Sequence, residues 1–431
     1  MRAFQRWSAL AAASLTTLVT ATGFAQAGAF GIREHSAQAQ GLSFAGAAAG
    51  SGGLSSAFWN PATITMRPGW NSEFDATLII PDSDITPLQP TPTLGLGPSG
   101  EIGQNAVVPA SYTSYQVNDR LWLGFASTAP FGLVTKPNQV WAGQVYARSS
   151  RIFSLDLNPI VAIKLTDWLS VAAGPDFQYF RLTLRAATGI APTAPSSFQK
   201  ADDWGVGFNA GATITPFAGT SIGVGYRSSI NHELEGSAFG IGRIKTTLNT
   251  PDKLSVGLTQ AITPVFRLNL GFEWDNWSRL GTPAIVSSVR GVPVAPFPLN
   301  YEDGYMYSVG GEYDFSDRWT VRAGFAYEES PINTRNRSPR LPDSDRYWAS
   351  VGASYRLNEK ITFDVAYSHL FFRDARIALV PGNPLFALAG LPFVADSDTS
   401  VNIVSVGLKY RWDNPKVAEP APVVRSIVRK Y

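Results

Sequence analysis

Hydrophobic and polar residues alternate with a period of two along most of the chain after Gly69. In the stretch Phe266–Trp274, for example, aromatic and leucine residues at even positions alternate with charged, amide and glycine residues at odd positions. A β-strand points successive side chains to opposite faces, so this pattern predicts strands with one apolar and one polar face. It recurs in 14 segments, at residues 69–80, 106–117, 120–132, 150–163, 167–185, 203–216, 219–234, 243–262, 264–277, 301–315, 317–330, 344–357, 359–373 and 400–413.

The connections between these segments alternate in length. Short turns lie at 118–119, 166–167, 216–219, 263–264, 316–317 and 358–359, and longer connections lie at 81–105, 133–149, 186–202, 235–242, 278–300, 331–343 and 374–399. Short turns on one rim and long loops on the other are typical of bacterial outer-membrane barrels. We therefore predict an all-β protein, a 14-stranded antiparallel transmembrane β-barrel over residues 69–413. A soluble β-sandwich or propeller also has alternating strands, but it would show a less regular asymmetry of its loops.

The first 27 residues have the three parts of a secretory signal peptide. Arg2 and Arg6 form a basic start, Ala9–Thr20 is an apolar run, and Ala25–Ala27 offers small residues for a signal peptidase. The apolar run is too short to cross a bilayer as a helix. We predict that residues 1–27 are removed and that the mature chain begins at Gly28.

Composition excludes several classes of function. There is no cysteine, and charged residues make up 16% of the chain with a net charge of +2, which does not favour nucleic acid. No metal-ligand or phosphate-loop spacing occurs, so we expect no cofactor. The three histidines, His35, His232 and His369, accompany no Gly-x-Ser-x-Gly motif, so we expect that the protein is not an enzyme.

Residues 28–68 do not continue the strand pattern. They are rich in small residues, and Arg33, Glu34 and Arg67 are their only formal charges. A barrel of 14 strands has a lumen wide enough to need filling, since side chains just fill a barrel of about eight strands. We predict that 28–68 forms a small plug inside the barrel, and that the Pro-rich tail 414–431 is periplasmic.

Sequence motifs in this segment resemble the hatch signature of the FadL-like family of outer-membrane transporters. The resemblance covers Glu34–Ser36, Gly41-Leu42, Ala45–Ala48 and Ser55–Ala62, and is strongest at Asn60, Pro61 and Ala62. It reappears at Pro130–Leu133 and Thr250–Gly257, whereas the C-terminal tail departs from the many members that end on the last strand. The resemblance implies a Gram-negative outer-membrane protein whose hatch, including Asn60, Pro61 and Ala62, controls passage.

The resemblance also implies a route. In this family, apolar extracellular loops catch a hydrophobic ligand, an internal pocket receives it, and an inward kink of the third strand opens the wall laterally. Pro130, Phe131 and Gly132 are the expected kink, because proline removes a ladder donor and glycine tolerates a bulge. The alternative is an ordinary strand end at a loop.

The long loops are unusually apolar, and contiguous apolar surface usually marks binding. The expected capture residues are Phe297, Leu379, Leu385, Phe386, Leu388 and Phe393, unless these loops pack on one another as a lid. A basic residue near the long loops could bind a ligand carboxylate. The candidates are Lys136, Arg148 and Arg151, which flank the third and fourth strands. Their alternative role is that of solvated rim charges.

Together these features predict passive outer-membrane transport of hydrophobic compounds, and of long-chain fatty acids in particular. The expected partners are a hydrophobic small molecule and outer-membrane lipid, and we expect a monomer. An aromatic hydrocarbon channel of the same family is the alternative. An open diffusion porin for polar solutes is disfavoured by the plug-like segment and the apolar loops.

Overall fold

The computed structural model describes residues 28–413, so the predicted signal peptide and C-terminal tail lie outside the described residues. Within this range the predicted fold is confirmed: 14 antiparallel wall strands form one closed barrel. They are called staves below, because some of them are interrupted and consist of two shorter strands. The third, seventh and eighth staves are each split in two, and three further strands extend the long loops. In chain order the strands are β1 (Trp70–Leu88), β2 (Ala106–Gln116), β3 (Leu121–Thr128), β4 (Gly132–Thr135), β5 (Ser149–Lys164), β6 (Leu169–Ala187), β7 (Ser196–Ile214), β8 (Thr220–Arg227), β9 (Asn231–Ala238), β10 (Gly242–Asn249), β11 (Lys253–Thr263), β12 (Phe266–Asp275), β13 (Ala284–Ser287), β14 (Pro293–Pro296), β15 (Gly304–Asp314), β16 (Trp319–Glu329), β17 (Arg346–Arg356), β18 (Ile361–Phe372), β19 (Ala375–Leu379) and β20 (Phe393–Arg411).

The first and last strands close the barrel. β1 pairs with β20 over its length, from Asn71 opposite Arg411 to Leu88 opposite Val394. Closure satisfies the edge groups that hydrocarbon cannot hydrogen-bond. Among the described residues, no helix is long and apolar enough to cross a membrane.

The outer face of the barrel is apolar. Trp204, Val206 and Phe208 point outward from β7 with 53–64% of their surface exposed. Trp168 and Trp319, at two of the short turns, are about half exposed, at 50% and 45%. Such aromatic side chains suit the headgroup level of a bilayer.

Residues 28–68 lie inside the barrel and are called the hatch below. They form one short α-helix, α1 (Ala37–Gln40), and 3₁₀ turns at Ala47–Ala49, Gly53–Phe58 and Pro61–Met66. Outside the hatch, short 3₁₀ turns lie in the loops at Leu94–Leu96, Trp277–Leu280 and Phe386–Leu388.

Inward-facing glycines of β8 let the hatch backbone touch the wall. A Cβ atom at Gly223 would lie 1.7 Å from the carbonyl oxygen of Ala48, and one at Gly225 would lie 1.8 Å from that of Trp59. Glycine is the residue that allows such close backbone approach. The alternation of glycine with apolar residues in Thr220–Arg227 therefore marks a hatch-binding surface rather than a weak strand.

Candidate functional site

Asn60 ties the hatch to itself and to the barrel wall. Its amide nitrogen donates to the carbonyl oxygens of Ala48, at 2.8 Å, and of Ala212 in β7, at 2.9 Å. Its side-chain oxygen accepts from the backbone N–H of Ala62, at 3.0 Å, and so caps the turn that begins at Pro61. The three residues that the sequence selected thus lie together in the hatch, where they fix its shape.

A buried ion network holds the other end of the hatch. Arg33 forms ion pairs with Glu273 at 3.2 Å, Asp275 at 3.0 Å and Glu328 at 2.6 Å, all on barrel strands. Lys253 of β11 pairs with the same Glu273 and Asp275, each at 2.8 Å. Because a buried charge is tolerated only when paired, Arg33 belongs to the fixed hatch rather than to a ligand site.

Two titratable neighbours of Arg33 are also enclosed. Burial raises the pKa of the Glu34 carboxyl to about 7 and lowers the pKa of the His35 imidazole to about 3. His35 is therefore neutral at pH 7, and it hydrogen-bonds the carbonyl oxygen of Ile32 at 3.0 Å. The Glu34 and His35 side chains are not arranged as a catalytic acid–base pair.

The third stave is broken at the predicted position. β3 ends at Thr128 and β4 begins at Gly132, so Pro130 and Phe131 lie in the break. Thr128 faces Asp156 of β5, whereas Gly132 faces Phe153. Three residues of the third stave therefore oppose two of β5, which is a bulge of one extra residue.

The break leaves an opening in the wall, called the window below. Within the described range, β2 pairs with β3 only over Ser111–Gln116, and Ala106–Ala110 pair only with β1. Above the break the wall resumes, where Gly103 bridges Thr135 and the N–H of Lys136 donates to Ile102 O at 2.8 Å. The window thus lies between the upper half of β2 and β4.

The N-terminus of the hatch lines the window from inside. The N–H of Ile32 donates to Pro130 O at 2.8 Å, and the N–H of Gly132 donates to Phe30 O at 2.9 Å. The sequence alone gave no sign of this pairing, because the two partners lie about 100 residues apart.

An apolar cluster surrounds this contact and is called the window cluster. The ring of Phe30 packs edge-on against Phe131, with centroids 5.9 Å apart, and against Trp277, at 4.7 Å. The other buried members are Ala29, Leu133, Ile152, Phe180, Ala201, Leu234, Leu248, Leu280, Tyr301, Ile332 and Leu341. The cluster joins the hatch, the strand break, the barrel wall and two long loops, those between β12 and β15 and between β16 and β17.

The predicted capture residues divide into three groups. Leu379, Leu385 and Phe393 are buried in a second cluster around Trp141, so these loops pack on one another as a lid. Phe386 is half-buried, and Leu388 remains exposed on the outer side of the lid. Phe297 packs separately, against Ala238, Ile244 and Ile285.

The three predicted carboxylate contacts do not come together. The guanidinium of Arg148 donates to the carbonyl oxygen of Ala194 at 2.7 Å, to Ser196 Oγ at 3.0 Å and to Gln144 Oε1 at 3.1 Å. It therefore joins two loops. Lys136 and Arg151 are exposed, the first in a loop and the second near the start of β5.

Sequence reasoning missed Arg340, which lies beside the window cluster. Its guanidinium donates to Ser149 O at 3.3 Å, Ser150 Oγ at 3.3 Å and Arg185 O at 3.2 Å, and it has no acidic partner within residues 28–413. Burial lowers the pKa of Arg340 to about 10, so it remains charged at pH 7. Its neighbour Leu341 belongs to the window cluster.

The end of the lumen at the short turns, which face the periplasm in outer-membrane barrels, differs from the window cluster. A large cavity there, on the far side of the hatch, is lined by charged and polar residues including Arg267, Glu312 and Arg322. Arg267 and Arg322 both pair with Glu312, at 2.7 and 3.0 Å. This end suits water and ions rather than an apolar solute.

The family model described as outer membrane protein transport protein (OMPP1/FadL/TodX) matches residues 18–412. The chain belongs to this family. Its members are described as transport proteins, and their place in the outer membrane agrees with the closed barrel seen here. Among the described residues of this FadL-family protein, no group of three or more side chains is placed to hold a metal ion.

Relatives and solved structures match over most of the chain. The long-chain fatty acid transport protein of Salmonella typhi is 25% identical over 410 residues, covering 86% of this chain and 92% of the relative. A Pseudomonas aeruginosa FadL homologue superposes with a TM-score of 0.80 at 22% identity, covering 89% of this chain and all (100%) of that one. The Ralstonia pickettii toluene transporter TbuX gives 0.63 at 18% identity, covering 88% and 99%. These structural likenesses establish the fold.

Proposed function

We propose that this FadL-family protein carries hydrophobic compounds passively across the outer membrane, and that long-chain fatty acids are its substrates. A ligand would meet the loop surface near Leu388, enter the window cluster, and leave sideways through the window into the bilayer. The proposal rests on the contrast between the two ends of the lumen. An apolar cluster borders a break in the wall, whereas the periplasmic cavity is lined by charged residues.

Lateral exit follows from the free energy of transfer. Moving apolar surface into water costs roughly 25 cal/mol per Å². A solute of fatty-acid size that passed the cavity lined by Arg267 and Glu312 would face that cost. The window between β2 and β4 leads instead from one apolar environment to another. Diffusion down a gradient then needs no cofactor.

Arg340 supports a fatty acid rather than a neutral aromatic as substrate. It is a charged guanidinium with no acidic partner in the described part of the chain, and the next residue, Leu341, belongs to the window cluster, which would take the acyl chain. A guanidinium binds a carboxylate through two parallel hydrogen bonds. Lys136 and Arg151, on the exposed rim, remain candidates for an earlier encounter. The similarity to a toluene transporter keeps the aromatic substrate class as the alternative.

Deleting Pro130 should abolish uptake while leaving the barrel intact. The deletion removes the extra residue of the bulge, so Ala129–Thr135 would come into register with β5 and could pair with β2 across the window. The variant is expressed in cells that lack the wild-type gene. We expect their uptake of radiolabelled oleate to fall to that of cells without the protein.

The matched control is deletion of Ile262, the extra residue in another bulge, between β11 and β12. This variant should transport normally. Both proteins should migrate as folded, heat-modifiable barrels on cold SDS gels. Normal uptake by the Pro130 deletion would instead favour a route through the periplasmic end.

Replacing Arg340 with glutamine should separate the two substrate classes. Loss of hydrogen bonds to a charged group costs about 1.5–3 kcal/mol, so the dissociation constant for oleate should rise by about 10- to 150-fold. Binding of toluene, which has no carboxylate, should change little. Titration of the purified protein with each ligand measures both constants.

Arg335→Gln is the control, because Arg335 lies in the same loop but is exposed. It should leave both constants unchanged. If Arg340→Gln binds oleate as tightly as the wild type, Arg340 is not the carboxylate site, and a neutral aromatic becomes the better substrate.

A further inference from the structure

The first described residue is buried against an acidic side chain. The backbone nitrogen of Gly28 lies 2.8 Å from Glu328 Oε1, and that of Ala29 lies 3.0 Å from Asp343 Oδ2. Both residues are buried within the barrel. The start of the hatch is therefore a specific contact and not a loose end.

The ion network around this contact lacks one positive charge. Its cations are Arg33, Lys253 and Arg346. Its carboxylates are Glu273, Asp275, Glu328 and Asp343, linked to those cations at 2.6–3.6 Å. Two further buried groups border this network: Glu34 Oε2 accepts from the backbone N–H of Arg33 at 2.8 Å, and Arg337 Nε donates to the backbone oxygen of Asp343 at 2.7 Å. Four cations thus face five carboxylates, and an uncompensated buried charge is strongly unfavourable.

We propose that the α-ammonium group of the mature N-terminus, at Gly28, is the missing cation and pairs with Glu328. The inference depends on cleavage after Ala27, which the sequence predicts. A signal peptidase would hydrolyse the Ala27–Gly28 bond with water, whose hydroxyl goes to the Ala27 carbonyl carbon and whose proton goes to the Gly28 nitrogen. A second proton from solvent then completes the ammonium.

The local geometry fits a terminal glycine. A Cβ atom at position 28 would lie 2.5 Å from Glu328 Oε1, so any other residue would push this carboxylate away from the nitrogen. An amide N–H at Gly28 would supply one donor and no charge. An ammonium group supplies three donors and balances the network. Cleavage would therefore change the contact from a neutral hydrogen bond to a buried ion pair.

The ion pair would anchor the part of the hatch that lines the window. Phe30–Ile32, which pair with Pro130–Gly132, begin only two residues after Gly28. Removal of the leader would thus secure the inner side of the window. This consequence rests on the proposed lateral route, whereas the ion pair itself does not.

Amine labelling of the full-length protein purified from outer membranes tests the ion pair. Formaldehyde and cyanoborohydride dimethylate free amines but not ammonium groups, and mass spectrometry of the N-terminal peptide reports modification of Gly28. A free α-amino group has a pKa of about 7.7–8.0. Pairing should raise it by at least about one unit, so labelling at pH 7.5 should be at least about sixfold slower than in the heat-unfolded protein.

The pH profile separates an ion pair from simple burial. Burial without a partner lowers the pKa of an amine, so half-maximal labelling at or below about pH 8 would overturn the proposal, as would a mature N-terminus elsewhere. Glu328→Gln should move the midpoint down, whereas the neighbouring Glu329→Gln should not. If Glu328→Gln fails to fold, the wild-type profile still decides. Because labelling requires no transport, a failed uptake assay would contradict the proposed function and leave this inference standing.

Discussion

Replacing Arg33 with methionine is expected to release the hatch and turn a nearly closed barrel into a conducting pore. Arg33 pairs with Glu273, Asp275 and Glu328, and its side chain is 5% exposed. Removing one partner of a buried ion pair costs about 3–5 kcal/mol, because the remaining charges stay buried. The equilibrium of hatch docking should therefore shift by about two to four orders of magnitude. Conductance of the purified protein in planar bilayers measures the effect.

Arg373→Met provides the matched control. Arg373 also forms an ion pair, with Asp345 at 3.3 Å, but its side chain is 62% exposed. Exposed pairs contribute about 0–1 kcal/mol, so conductance should not change. A variant lacking residues 28–60 gives the upper limit of conductance. If that deletion conducts no more than the wild type, the hatch is not a plug.

Replacing Gly223 with alanine should displace the hatch by a purely steric effect. The new Cβ would lie 1.7 Å from the carbonyl oxygen of Ala48, and a backbone atom cannot move away as the end of a flexible side chain can. Overpacking costs about 1–3 kcal/mol or more, and here the hatch is the element that is free to move. The barrel should still assemble, because the outward face of β8 is unchanged. Sugar flux in liposome swelling should rise strongly above that of the wild type.

Gly95→Ala is the control for this variant. No atom lies within 4 Å of a Cβ built at Gly95, so the added methyl group meets open space. It should leave sugar flux unchanged. If the flux is unchanged for Gly223→Ala as well, the hatch adjusts locally and stays in the barrel. Its backbone contact with β8 would then not be what closes the lumen.

The staves of the barrel were predictable because their signal is local. Alternation with a period of two shows which face of a strand meets lipid, and about ten residues of one segment are enough to show it. The break at Pro130 is also a local effect, since proline lacks a donor. Asn60 was found through its resemblance to a family motif, not through its contacts. Its bonds to Ala48 and Ala212 depend on how the hatch meets the wall.

The basic residues show where such reasoning ends. Arg148 and Arg340 are the same residue type in loops on the same rim, and nothing local separates them. The fold places the loop of Arg340 at the window cluster, through Leu341, and the loop of Arg148 at the cluster around Trp141, through Ala147. Which apolar cluster a basic residue borders is a property of long-range packing. The same holds for Phe30, whose place in the window depends on pairing with a strand about 100 residues away.

The sequence by itself determined that the chain forms a closed antiparallel barrel with a small-residue segment inside it, because lipid imposes alternation and closure on every stave. Only the tertiary structure decided how that barrel is filled. The tertiary structure brings the hatch N-terminus to the break in the third stave, gathers the apolar window cluster, and leaves polar residues at the periplasmic end. The physical reason is that these contacts join distant segments, and their free energy depends on burial and charge compensation that no single segment contains.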